Sequence, residues 1–359
     1  MPAERPSRIG VVGCGVISRT YIEHAGDFGL EVTAVTDLDQ QRARATAERY
    51  GVPRACATTE ELLALDTVDV VLNLTTPGAH AEVDRMAIAA GKHVYSEKPL
   101  AVTMREGRAV LDEASVRGVR VGAAPDTFLG AGVQTCRALV DAGAIGRPVA
   151  GTAFMTTPGH ERWHPAPEFY YQPGGGPLFD MGPYYLTALV VLLGPVRRVS
   201  GSAGAGHTER TIGSGPRAGT IFPVQVQTHV AGTLEFAAGA VVTLVMSFDV
   251  WSAHLPRFEI YGTRGSLSGP DPNGFGGPVG IFEADGREWD EMPLRESAWP
   301  QTRGLGLADL VAGVAEGRPH RASGELGHHV LDIMSGLLES AETGRHVTLT
   351  TTCERPAPL

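Results

Sequence analysis

Ile9-Gly10-Val11-Val12-Gly13-Cys14-Gly15-Val16-Ile17-Ser18 is the stretch that decides the fold. A short β-branched run ends in Gly-x-Gly and passes directly into a helical pattern. In a dinucleotide fingerprint the first glycine makes the tight turn from strand to helix. The second lets backbone approach a pyrophosphate, and a third small residue lets helix and strand pack closely. Here Ser18 holds the third place, a small departure. A lone Gly-x-Gly is weak, and its plain alternative is a tight turn with no ligand. The context strengthens it, because Asp37 ends the next β-branched run about twenty residues on. An acidic side chain there accepts bonds from a ribose 2′-hydroxyl and repels a 2′-phosphate, so NAD is expected over NADP. Gly13, Cys14, Gly15, Val16 and Ile17 form the candidate phosphate loop, and Asp37 is the candidate ribose reader.

Outward from this stretch the same texture continues to about Pro125. The runs Ile9–Val12, Val32–Thr36, Val68–Leu74, His93–Tyr95 and Val119–Gly122 are short, apolar and bounded by Gly or polar residues, as buried parallel strands are. Between them lie helical patterns over Gln40–Tyr50, Thr59–Ala64, Ala79–Ala90 and Met104–Arg117. Thr58 followed by Glu61 predicts a capping box, and Gly91 and Gly118 fall where C-cap glycines sit. A regular βαβα series implies α/β architecture, a Rossmann-type doubly wound parallel sheet with right-handed crossovers.

After Pro125 the texture changes, which divides the chain into residues 1–125 and 126–359. A helix is expected over Val133–Ala142, then an aromatic, His- and Pro-rich stretch from Phe154 to Gln172, then an apolar helix over Leu186–Leu193. Strand-like alternation follows from about Val196 to Leu294, with a hairpin around Ala238-Gly239. Gly201–Gly219 reads as a mobile Gly-rich loop, and helices over Gly306–Glu316 and Gly324–Thr343 close the chain.

Composition narrows the partners. The 359 residues fit two domains, and a formal net charge of −10 argues against nucleic acid or an anionic membrane surface. Anionic ligands remain open, because helix N-termini bind phosphate inside acidic proteins. Cys14, Cys56, Cys136 and Cys353 are far apart and form no C-x-x-C pair, which suits a reducing cytoplasm. Met1–Arg8 is polar, without a signal-peptide core, and the longest apolar run, Leu186–Leu193, is too short to span a bilayer.

Further candidates sit at strand ends. Thr75, Thr76 and Pro77 follow the third strand, at the sheet edge where such folds bind ligands. His80, in the next helical turn, is either a cofactor contact or a helix-start residue satisfied by backbone. Glu97 and Lys98 follow the fourth strand as candidate cofactor contacts, and Asp126 follows the fifth as either a substrate contact or domain packing. His160, Glu161, Trp163, His164, Tyr170 and Tyr171 crowd one segment, where aromatic faces and polar tips suit sugar recognition. Of these, His160, Trp163, His164 and Tyr171 are the candidate substrate contacts. No metal is expected, because the His/Glu/His spacing matches no helical H-E-x-x-H site and Pro165 and Pro167 break the segment. Asp180 and Tyr184 stand at i and i+4, which shares a helix face in catalytic and inert helices alike.

In series, Gly13–Ser18, Thr76-Pro77, Glu97-Lys98-Pro99, the Gly174–Tyr184 stretch, the Ile260–Ser266 turn and Ser340–Gly344 resemble the Gfo/Idh/MocA family of sugar and cyclitol dehydrogenases. The similarity covers nearly the whole chain, in order. It implies a Rossmann domain followed by an α/β domain with a large, mostly antiparallel open sheet, through which a homodimer or homotetramer forms. It also implies that Lys98 lies between nicotinamide and substrate, contacting both, and that Asp180 and Tyr184 stand for the D-x-G-x-H motif. Tyr replaces the usual His, which leaves the acid/base open. Tyr184 takes the hydroxyl proton if its pKa falls from about 10 beside an ammonium, with Lys98 as electrostatic partner, or Lys98 carries the proton itself. Asp180 then accepts a substrate hydroxyl bond and holds Lys98.

The expected activity is hydride transfer between NAD(H) and a secondary alcohol of a sugar, cyclitol or related polyol. An alternative is an NAD-retaining glycoside hydrolase or lyase that oxidises the sugar transiently. A non-catalytic nucleotide sensor is the third possibility, against which the presence of Lys98 and Asp180 counts.

Overall fold

The computed structural model describes Ser7–Leu359, so most of the polar Met1–Arg8 stretch lies outside the described residues. The chain forms two compact units.

In the first unit six strands pair in parallel. They are β1 (Ser7–Val12), β2 (Leu30–Thr36), β3 (Arg54–Ala55), β4 (Val70–Asn73), β5 (His93–Ser96) and β6 (Val121–Ala123). Their order, β3-β2-β1-β4-β5-β6, is that of dinucleotide-binding sheets. Helices α1 (Ser18–His24), α2 (Gln40–Tyr50), α3 (Thr59–Leu63), α4 (His80–Ala89) and α5 (Met104–Arg117) make the connections. Ile9, Val11, Val35, Val71 and Val94 are buried on the sheet, as near-continuous apolar strands require. Gly118 ends α5 in the left-handed region and Gly91, also at positive φ, follows α4. The reciprocal capping box lies at Thr103 and Glu106, ahead of α5. Thr58 does accept from the Glu61 amide, but Glu61 reaches back to the Ala57 amide, one residue short of a box.

The first unit also includes Ser297–His328, which sequence texture had assigned to the second. That segment carries α8 (Leu305–Glu316) and covers β6. The Ala123 amide donates to Ala322 O at 3.0 Å, and Gly122 bridges Ser323. Without this cover β6 would be an open edge. Asp126 explains the return, and its expected place against substrate is corrected here. It is fully buried, and Oδ2 accepts from the Gly304 and Gly306 amides at 2.9 and 3.2 Å, with Arg303 near Oδ1. Its carboxylate thus faces the amides that open α8.

The second unit is built on a nine-stranded sheet ordered β16-β15-β14-β13-β7-β12-β11-β8-β17. After α6 (Ala131–Asp141) come β7 (Pro148–Thr156), α7 (Gly176–Leu193) and β8 (Val196–Gly204). The short pair β9 (Glu209–Thr211) and β10 (Ile221–Pro223) stands apart as a two-stranded sheet. Then follow β11 (His229–Phe236), β12 (Val241–Ser247), β13 (Phe258–Gly262), β14 (Gly265–Gly269), β15 (Gly280–Glu283) and β16 (Asp290–Glu291). Helix α9 (Gly324–Thr343) and β17 (Val347–Thr348) end the chain. Every neighbouring pair is antiparallel except β7 and β12. The expected mobile loop at Gly201–Gly219 is in part ordered strand, because Ile212 and Arg210 turn inward and are buried.

Helix α7 begins ten residues earlier than its apolar run suggested. Pro177 fits the first turn, where no N–H is needed, while Pro183 sits inside and withholds one bond. The helix is long and apolar enough to cross a membrane, but 89% of that window is buried inside the protein, as in a core helix. It packs on α6, β7, β11 and β12.

Candidate active site

In the first unit the candidate residues lie at the carboxyl ends of β1, β2, β4 and β5. Gly13 has φ +97°, and a Cβ there would stand 2.7 Å from Leu74 O, so only glycine fits. Gly15 is exposed, and a Cβ on it would meet nothing within 4 Å. Side chains leave the approach to the Gly15–Ile17 backbone open, and Val16 is itself 88% exposed. These residues fit a dinucleotide pyrophosphate. Ser18 is buried, and its Oγ donates to Gly15 O at 2.7 Å, so the unusual third residue ties the loop to α1.

Asp37 is set by this loop. Its Oδ2 accepts from the Cys14 amide at 2.7 Å and its Oδ1 from the Asp39 amide at 2.8 Å, with Arg42 at 3.5 Å. Cys14 therefore turns its N–H to Asp37, and burial pushes its thiol up to about 11, an inert thiol.

Behind the Thr75–Pro77 loop stands a buried network. Asn73 Oδ1 accepts from the Thr75 hydroxyl at 2.7 Å and from its amide at 3.2 Å. Asn73 Nδ2 donates to His80 O at 3.0 Å and to Asp84 Oδ1 at 2.7 Å. Thr75 and Pro77 are half-exposed and Thr76 exposed. His80 is 1% exposed, with Nδ1 facing Pro99 O at 2.7 Å and Nε2 facing Thr75 O at 3.0 Å. It ties the Thr75 loop to the Glu97-Lys98-Pro99 loop, and burial lowers its pKa. The backbone-satisfied alternative is the one that holds, and the cofactor-contact expectation is corrected. Glu97 is buried too. Its Oε1 accepts from the Tyr21 hydroxyl of α1 at 2.9 Å and its Oε2 from the Lys98 amide at 3.1 Å. Glu97 therefore positions the loop, and Lys98 beside it is half-exposed.

The remaining candidates lie in the second unit. Asp180 and Tyr184 do share α7, with Tyr184 buried and Asp180 half-buried. Asp180 Oδ2 meets His160 Nε2 at 3.0 Å, and the Trp163 indole N–H donates to His160 Nδ1 at 3.3 Å. Trp163 is 57% exposed. His164 stacks edge-on with Trp163, Phe169 and Tyr170, accepts from the Ala166 amide at 3.1 Å, and has a pKa lowered by burial. Tyr171 is corrected as a substrate contact. It is fully buried, its hydroxyl donates to Glu161, and burial raises its pKa well above the usual value. Glu161 in turn pairs with Arg210 at 2.9 Å, and Arg210 pairs with Asp249, whose Oδ2 accepts from Thr228 at 2.6 Å. Sequence spacing gives no hint of Arg210 or Asp249 as partners, because these residues lie far from Glu161 along the chain. Among the described residues no group of His, Cys, Asp and Glu could hold a metal ion.

A 3-2-1-4-5-6 sheet with an open glycine loop and an acidic residue ending β2 defines a dinucleotide-binding protein. The model for the oxidoreductase family with an NAD-binding Rossmann fold matches residues 7–124, and that for the GFO/IDH/MocA C-terminal domain matches residues 133–268. The chain is 31% identical to dTDP-3,4-didehydro-2,6-dideoxy-alpha-D-glucose 3-reductase of Streptomyces violaceoruber, over 89% of this chain and 91% of that one. It is 28% identical to D-glucoside 3-dehydrogenase of Escherichia coli (strain K12), over 96% and 98%. Levoglucosan dehydrogenase in complex with NADH and levoglucosan superposes with a TM-score of 0.82 at 22% identity, over 96% of this chain and all of that one (100%). The chain belongs to the Gfo/Idh/MocA family of oxidoreductases.

Asp84 offers a test of the buried network. Burial pushes its carboxyl up to about 7, against the opposing side-chain bonds from Asn73 and Ser96. Between about pH 4 and 7 the unfolded chain has released a proton that the folded protein keeps. Stability therefore falls as pH rises through that window, by up to about 1.4 kcal/mol per unit, and is unaffected by this group below it. Asp84→Asn removes the titration, so its stability should gain on wild type as pH rises. Denaturation midpoints across the window measure this, and parallel curves would mean that Asp84 is ionised in the folded protein.

Proposed function

We propose that this chain is an NAD(H)-dependent dehydrogenase that moves a hydride between nicotinamide and a secondary alcohol of a sugar, cyclitol or related polyol. The observation that carries the reading is that one family member holds, in its two units, each of the residue types this chemistry needs. Lys98 lies half-exposed on a loop at the carboxyl edge of the nucleotide sheet, and Asp180 and Tyr184 lie on one turn of α7. The sugar-acting relatives support the substrate class. The bound nicotinamide supplies the hydride acceptor. Tyr184 accepts the hydroxyl proton, Lys98 offsets the charge developing on oxygen, and Asp180 accepts a bond from the sugar. Cytoplasmic residence and self-association through the large sheet belong to the same proposal, and the absence of disulfides among the four cysteines is consistent with the first.

Purified protein should form NADH from NAD with at least one member of a panel of aldoses, inositols and disaccharides. Silence across the panel, with nucleotide co-purifying, would replace this reading with a hydrolase or lyase that retains its NAD. On the active substrate, Tyr184→Phe should lower kcat by about tenfold or more with a smaller effect on KM. Near-normal turnover would move the proton to Lys98.

The preference for NAD rests on Asp37, whose carboxylate repels a 2′-phosphate. Arg42 stands beside it, and one relative, D-xylose 1-dehydrogenase (NADP(+)) 2 of Haloferax volcanii, uses NADP by name. Asp37→Ala removes the repulsion and leaves Arg42. The ratio of kcat/KM for NADP over NAD should rise by about tenfold, about 1.4 kcal/mol. The ratio is the proper readout, because losing the Asp37 bonds to Cys14 and Asp39 loosens the loop for both cofactors. An unchanged ratio would mean that Asp37 does not read the ribose.

A further inference from the structure

We infer that Trp163, His160 and Asp180 form a hydrogen-bonded relay in which His160 is a positioning residue, fixing Asp180 for the substrate hydroxyl. The inference rests on the dehydrogenase reading for its substrate and on geometry for its parts.

An indole N–H can only donate. Trp163 Nε1 lies 3.3 Å from His160 Nδ1, so Nδ1 must be the acceptor and carries no proton. The ring's one proton is then on Nε2, 3.0 Å from Asp180 Oδ2, and donates to it. A doubly protonated ring would set Nδ1–H against the indole N–H. The tautomer is therefore fixed from outside, as a second group fixes it for histidines that orient a reacting partner.

The ring is also held in place. It packs against Trp163, Tyr170 and Phe248 with centroids 5.3, 4.9 and 4.5 Å away. The next residue, Glu161, is buried and anchored by Arg210 and the Tyr171 hydroxyl. With both ring nitrogens engaged, His160 acts through Asp180 and not as a free base. What it supplies is one donor at a fixed point, which holds the carboxylate in one orientation.

Three variants and one spectrum test this. His160→Phe keeps the ring packing and removes both nitrogens. With melting temperature and NADH affinity near wild type, its kcat should fall by about tenfold or more, since a small misplacement of a reacting group costs that much. His160→Gln can donate its amide N–H to Asp180 and accept from Trp163, and should recover most of the loss. Trp163→Phe frees the tautomer and should fall between the two. Unchanged kcat in His160→Phe would overturn the relay. A Gln variant as inactive as Phe, yet folded and binding NADH, would overturn it in favour of an imidazole that carries the proton.

The spectrum needs no turnover. In 15N-labelled wild type, the His160 signals are those missing from His160→Gln. They should show a protonated Nε2 and an unprotonated Nδ1 at neutral pH. The opposite tautomer or a doubly protonated ring would overturn the relay even if the phenylalanine variant does not fold. Lack of wild-type turnover on every sugar, with the expected tautomer present, would instead count against the dehydrogenase reading alone.

Discussion

The close approach of Gly13 to the end of β4 is the constraint on which the nucleotide half depends. The Gly13 amide donates to Thr36 O at 2.9 Å, the Leu74 amide donates to Val12 O at 2.8 Å, and no side chain fits between. The ends of three strands are thereby drawn to one point. From that point follow the exposed Gly15–Ile17 backbone, the seat of Asp37 on the Cys14 amide, and the position of the Thr75 loop. The sheet order places these ends together, and the positive φ of Gly13 lets the chain leave β1 without covering them.

Behind the candidate residues of each unit lies a layer of buried polar groups that does not face a ligand. In the first unit Asn73, His80, Asp84 and Glu97 bind the loops after β4 and β5 to each other and to α1. In the second, Glu161, Arg210, Asp249 and Thr228 bind the His160 segment to β9 and to the end of β12. Burying such groups is costly, and replacing an ion pair with apolar residues is often neutral or better for stability. Their benefit here is positional. Loops cannot hold a side chain to a fraction of an ångström by backbone geometry alone, and these networks restrict them.

Local signals carried much of the first unit. The β-branched runs, the two glycine stops and the fingerprint are short-range patterns with a direct physical cause, and the structure places them within a few residues. What escaped were long-range effects. Nothing near Asp126 announces that residues 297–328 return to cap with it and cover β6, so the domain division came out too simple. Gly175-Gly176-Pro177 and Pro183 look like helix breakers, and tertiary burial overrode them in α7. The glycines of 201–219 suggested motion, whereas the inward turn of Arg210 to Glu161, forty-nine positions away, orders part of that segment. For the site the residue types were legible, and which of them face outward was not. His80, Glu97, Asp126 and Tyr171 carry the right chemistry for contact but are buried as supports.

The departure at Tyr184 and the contact at His160 bear on each other. At i+4 on α7 a side chain shares a face with Asp180 through helix geometry, without further support. Here that place holds a tyrosine, yet an imidazole still hydrogen-bonds Asp180, arriving from the short turn His160–Arg162 outside the helix. A turn gives no such placement by itself, and every degree of freedom of the imidazole must be restrained separately. Trp163 fixes its tautomer, three aromatic rings fix its plane, and the Glu161–Arg210–Asp249 network fixes the backbone that carries it. The concentration of buried charge around this turn is the physical consequence of holding an imidazole from a loop instead of a helix.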